Sequence, residues 1–131
     1  MDKRNIIYDL ETNNYSFEDN GEQVIVKLSR KYFLRLYIEN DTVVRNEDRV
    51  KRFNLWTNGK SLKTAAKIDM IGFLMYILLF TLWCILDPNF FSASGKFFFI
   101  VISPFMLQAL IEFLYCNKRL LKIKKLLNLN D

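Results

Sequence analysis

The sequence predicts a membrane α+β protein: a small cytosolic antiparallel β-meander, then a two-helix transmembrane hairpin, then a basic amphipathic C-terminal tail. Three observations carry that prediction. Charge is unevenly distributed, with thirteen Lys and Arg and ten Asp and Glu before Ile68 but only Asp87, Lys96 and Glu112 between Met70 and Cys116. Two long apolar runs fill that second stretch. Ahead of them, short runs of β-branched and aromatic residues alternate with turn-forming clusters. The boundaries that follow are 1–60 for the β-rich domain, 61–116 for the hairpin with spans over about 68–86 and 97–116, and 117–131 for the tail.

The β domain is read from five runs: Ile6–Leu10, Gln23–Leu28, Tyr32–Ile38, Thr42–Arg45 and Arg49–Trp56. All five are rich in residues that suit a pleated, half-buried surface. In the third run the two-residue period places Tyr32, Leu34, Leu36 and Ile38 on one face. Asp19-Asn20-Gly21, Glu39-Asn40-Asp41 and Asn46-Glu47-Asp48 supply turns between runs, and Asn58-Gly59 closes the region. Ser61 is the expected N-cap of a helix that continues into the first span.

Met70–Leu86 is seventeen residues without a charge. At about 1.5 Å per residue, with Ala65–Asp69 added, it approaches the roughly 30 Å thickness of a hydrocarbon core. Asp87-Pro88 ends it, because the residue before a proline is disfavoured in a helix. Phe97–Cys116 supplies twenty residues for the second span. The short link Asp87–Lys96 implies an antiparallel hairpin, with Phe90 and Phe91 in the interfacial layer.

Basic residues flank the spans on one side. Lys60, Lys63 and Lys67 precede the first, and Lys118, Arg119, Lys122, Lys124 and Lys125 follow the second, whereas the link holds only Lys96. The positive-inside rule then places both termini in the cytoplasm of a multi-pass cell-membrane protein. Met1–Glu11 lacks the apolar core of a secretory signal, in keeping with a cytosolic N-terminal module. In the tail, Leu120, Leu121, Ile123, Leu126 and Leu127 alternate with bases, which predicts an amphipathic helix on an anionic inner leaflet.

The candidate functional residues lie in the second span. Pro104, Gln108 and Glu112 recur every four residues and share a helix face, and Ser103 adjoins the proline, where a hydroxyl can serve a freed carbonyl. An ionisable group inside a membrane usually faces a bundle interior or water. Such a face suits self-association, a pore or a grip on a partner helix.

Other chemistry is missing from the sequence. There is no histidine, Gly21, Gly59, Gly72 and Gly95 are isolated, and Cys84 and Cys116 do not form a zinc-type spacing. No enzyme, cofactor or metal is expected. The bases Arg45, Arg49, Lys51 and Arg52 are interleaved with Asp41, Glu47 and Asp48, so nucleic-acid binding is not expected either.

In layout, the small β domain on a two-helix hairpin resembles bacterial membrane effectors and immunity proteins. The expected function is a non-enzymatic membrane protein that oligomerises through the polar face. It would act as a pore-forming or membrane-perturbing defence effector regulated by its β domain. The alternatives are an immunity or antitoxin-type protein that binds a toxin, and an accessory subunit of a larger membrane complex.

Overall fold

The computed structural model describes residues 2–52, 54–87, 89 and 95–129, with 97–99 described by backbone alone. Its elements are helix α1 (Lys3–Thr12), strands β1 (Phe17–Asp19), β2 (Gln23–Lys27), β3 (Tyr32–Glu39) and β4 (Thr42–Val50), and helices α2 (Leu62–Leu86) and α3 (Lys96–Leu126). They form two units. One joins Met1–Ala65 to Tyr115–Asp131, and the other is Ala66–Leu114.

In the first unit the four strands make one antiparallel sheet in the order β1-β2-β3-β4. Tight turns set the register. Asn40 and Asp41 both have positive φ, 49° and 60°, the backbone that a two-residue hairpin with native twist requires. Glu39 therefore pairs with Thr42. A bulge at Tyr37/Ile38 then shifts the β3–β4 register. As the two-residue period predicts, Tyr32, Leu34, Leu36 and Ile38 are the buried residues of β3. Val24 and Val26 of β2 join them. The rest of the core comes from helices: Ile6 and Leu10 of α1, Leu62 and Ala65 at the start of α2, and Cys116, Leu120, Ile123 and Leu127 at the end of α3. Burying each large apolar side chain stabilises the unit by roughly 1.5–3 kcal/mol.

Ile6–Leu10 is helical, not a strand. Ile6 and Leu10 are fully buried while Tyr8 between them is 68 % exposed, a pattern that a helix produces and an alternating strand, with all three on one face, does not. Asp2 caps that helix by accepting from the Arg4 amide at 3.4 Å, and the Asn13 side chain donates to the Asp9 carbonyl at its end. The first strand is instead Phe17–Asp19. Thr42–Arg45 and Arg49–Trp56 are not two strands, because β4 runs unbroken through Asn46-Glu47-Asp48 to Val50. These turn-forming residues are accommodated because β4 is a sheet edge, where charged side chains are usual. Residues 55–59 form a turn. The C-terminal region is not a separate surface helix but the last turns of α3. Its apolar stripe, Cys116, Leu120, Ile123 and Leu127, is covered by protein rather than left for lipid.

An ion pair ties α1 to the β1–β2 turn. Lys3 Nζ lies 2.9 Å from Asp19 Oδ1, which also accepts from the Gly21 amide at 2.8 Å. The Lys3 ammonium, then the Gly21 amide, hold the Asp19 carboxyl below its ordinary value. A carboxylate depressed in the folded state contributes stability above its unfolded pKa, and that contribution is lost as pH falls through the folded value. Lys3→Met is therefore expected to flatten the loss of thermal stability below about pH 4, measured by unfolding across a pH series.

The second unit contains the apolar lengths of α2 and α3, both long and apolar enough to cross a membrane. Among the described residues almost nothing there is buried: Leu78, Leu82, Ile85, Phe105 and Ile111 are all more than half exposed. Residues with lower exposure form a stripe on each helix. On α2 the stripe includes Asp69, Tyr76, Phe80 and Cys84, and on α3 it includes Ile102, Met106, Ala109 and Phe113. Tyr76 and Phe80 stack with ring centroids 6.2 Å apart. Thr81 returns its hydroxyl to the Ile77 carbonyl at 2.8 Å, so this hydroxyl is satisfied within the helix. Phe90 and Phe91 lie outside the described residues.

Candidate functional site

Much of the described surface of α2 and α3 is exposed and apolar. Contiguous exposed apolar patches beyond a few hundred Å² are rare on soluble monomers and mark a surface that something covers. Within that surface the polar positions of α3 stand out.

Pro104 sits inside α3 without ending it. Pro104 and Gln108 are exposed, whereas Ser103 and Glu112 are half-buried. At about 100° per residue, Pro104 and Gln108 fall on a different side from the stripe of Ile102, Met106, Ala109 and Phe113. The Gln108 amide makes no hydrogen bond among the described residues, and Phe105, Leu107 and Ile111 around it are exposed apolar side chains. The structure thus divides the predicted polar face: its proline and amide point outward, and its carboxylate sits at the margin.

The basic residues divide too. Lys60, Lys63 and Lys67, at and just after the turn before α2, are exposed, as are Lys118, Lys122 and Lys125 on α3. Lys124 is half-buried. Arg119 serves the protein instead. Its guanidinium donates to the Leu28 carbonyl at 3.0 Å and lies 5.2 Å from the centre of the Tyr15 ring. This is a cation–π contact that fastens α3 to the sheet unit.

At and just beyond β4, three of the bases identified in the sequence, Arg45, Arg49 and Arg52, are engaged locally. Glu47 pairs with Arg45 and with Arg49, and the Arg49 guanidinium, followed by Arg45 and Arg35, holds its carboxyl below the ordinary range. Arg52 donates to the Tyr32 hydroxyl and lies over its ring. Asp48 accepts from the Leu62 amide at 2.5 Å and so completes the N-terminus of α2, where Ser61 Oγ accepts from the Thr64 amide at 3.3 Å. The predicted Ser61 cap is thus present, with Asp48 as a second acceptor. No group of three or more His, Cys, Asp or Glu able to hold a metal occurs among the described residues.

Sequence reasoning missed Leu55 and Trp56. It assigned Trp56 to a strand, yet Leu55 is 89 % exposed and Trp56 79 % exposed, on a turn. The Asn54, Asn58 and Gly59 turn residues around them were the available signal.

Comparison with known proteins finds no matching family model, no similar curated protein and no similar solved structure.

Proposed function

We propose that the protein is a two-span integral membrane protein that self-associates through the Pro104–Gln108 side of α3, with the sheet unit as its cytosolic head. The observation that carries this reading is the exposed Gln108 amide amid apolar side chains on α3. In hydrocarbon an amide without partners is costly, and a second helix offering the same amide relieves both. Lipid supplies the cover that the apolar faces of α2 and α3 lack. The bases Lys60, Lys63, Lys67, Lys118, Lys122, Lys124 and Lys125 support cytoplasmic termini over an anionic inner leaflet.

Assembly of several hairpins about this side would perturb or perforate the bilayer, the behaviour of a membrane-acting defence effector. A toxin-binding or accessory-subunit role would present the same side of α3 to a partner's helix.

Mass measurement in mild detergent tests the proposal. The wild type is expected to associate, and Gln108→Leu to raise the dissociation constant about 3- to 30-fold for each amide pair lost. Glu112→Leu, at the margin of the face, is expected to act more weakly. A wild type that is monomeric at every concentration would defeat the proposal. Growth arrest on expression of the wild type, relieved by Gln108→Leu, would favour the effector role over the toxin-binding one.

A further inference from the structure

The turn between β4 and α2 presents two large apolar side chains in a built, cation-flanked setting. Asn54 organises it. Its side-chain oxygen accepts from the Trp56 amide at 3.0 Å, and its carbonyl accepts from the amides of Thr57 at 3.2 Å and Asn58 at 2.9 Å. The Asn58 side chain in turn accepts from the Arg52 amide at 3.2 Å, and the Gly59 amide donates to the Val50 carbonyl at 2.7 Å. Gly59 has φ of 73°, which suits glycine at this position. Thr57 is fully buried, so the turn is anchored inward at one residue while Leu55 and Trp56 face outward.

Charge around the turn is net positive, because Arg45, Arg49, Lys51, Arg52, Lys60 and Lys63 outnumber Glu47 and Asp48. Lys51, Lys60 and Lys63 are exposed. Glu47 is ion-paired with Arg45 and Arg49, and Asp48 is turned to the Leu62 amide. Arg52 is turned onto Tyr32. Trp56 precedes the first residue of α2 by six positions, a chain that spans at most about 20 Å. The same α2 carries the apolar run read above as the first span.

We propose that Leu55 and Trp56 form an interfacial anchor that docks the sheet unit onto an anionic bilayer surface, with Lys51, Lys60 and Lys63 contacting lipid headgroups. Tryptophan favours the headgroup layer because it pairs an apolar ring with a polar N–H. Bases near an anionic surface add attraction that salt screens. The inference rests on the membrane reading of α2 and α3, and the second tryptophan, Trp83 within α2, makes the two separable.

Full-length protein is reconstituted into vesicles containing lipids brominated near the headgroup or deep in the chain, as Trp83→Phe (reporting Trp56) and Trp56→Phe (reporting Trp83). Trp83 is expected to be quenched by brominated chains in zwitterionic and anionic vesicles alike. Trp56 is expected to be quenched most by shallow bromines in anionic vesicles, with its acrylamide accessibility lowered at least about threefold relative to zwitterionic ones. Raising salt, or Lys51→Glu with Lys60→Glu and Lys63→Glu, should restore that accessibility. Trp56 open to acrylamide while Trp83 is lipid-quenched would overturn the anchor and leave the spans standing. Trp56 shielded from acrylamide but untouched by bromine would mean a protein covers it, which also overturns the proposal. Loss of lipid quenching at Trp83 would sink both readings.

Discussion

Ile123→Asp is expected to strip the last turns of α3 from the sheet unit and to unfold much of that unit. Ile123 has no exposed surface, and it belongs to the stripe of Cys116, Leu120 and Leu127 that completes the core. Truncating a buried isoleucine alone costs about 2–5 kcal/mol. An aspartate adds the cost of an unpaired polar or charged group in an apolar site, at least a further 1–3 kcal/mol. Set against a total stability of about 5–15 kcal/mol, that is most of what holds a small unit folded. Leu121 is the control, because it lies two residues away and is 54 % exposed. Leu121→Asp should change stability by no more than about 0.5 kcal/mol. Limited trypsin digestion in detergent reads the difference, since release of the helix opens Lys122, Lys124 and Lys125 to cleavage. If these turns instead lay on lipid, the two aspartates would act alike.

Replacing residues 66–114 with a flexible Gly/Ser linker of about 20 residues, which spans roughly 25 Å on average, is expected to move the protein from the membrane pellet to the supernatant while keeping its sheet. The first unit already joins Met1–Ala65 to Tyr115–Asp131, so the excision removes the other unit as a block. The fastening that remains is specific: the Arg119 contacts with Leu28 and Tyr15, and the buried stripe. Cooperative thermal unfolding of the soluble product, with Ile123→Asp abolishing it, is the expected pair of results. An aggregated product would show that the first unit requires residues 66–114.

What the sequence made legible follows from how local each signal is. The face of β3 could be read because every second residue from Tyr32 to Ile38 is large and apolar, and the structure buries those four. The two long apolar helices were equally plain, because an uncharged run such as Met70–Leu86 is a property of composition. The helical state of Ile6–Leu10 was not legible. The cluster Ile6-Ile7-Tyr8 has the local preference of a strand, and only the burial of Ile6 and Leu10 with Tyr8 left outside betrays the helix. Asn46-Glu47-Asp48 reads as a turn until its pairing with Leu36, Arg35 and Leu34 is known. In the candidate site, Gln108 announces itself as an amide in an apolar run. Trp56 does not, because Phe53, Leu55 and Trp56 look like buried material, and the hydrogen bonds of Asn54 that turn Leu55 and Trp56 outward are tertiary facts.

The composition of the first unit also sets an order of events during synthesis. The sheet and α1 are complete in sequence by Val50, but the helical stripe that finishes their core arrives only with Leu120, Ile123 and Leu127. At about 5–20 residues per second, the roughly sixty residues from Ala65 to Leu127 take some 3–12 s to make. Over that interval the core that includes Val24, Val26, Leu34 and Leu36 lacks its closing stripe, which leaves apolar surface open to aggregation or to a chaperone. Both apolar helices emerge within the same interval, so the core of the first unit is finished only after the helices that would enter the bilayer have been synthesised.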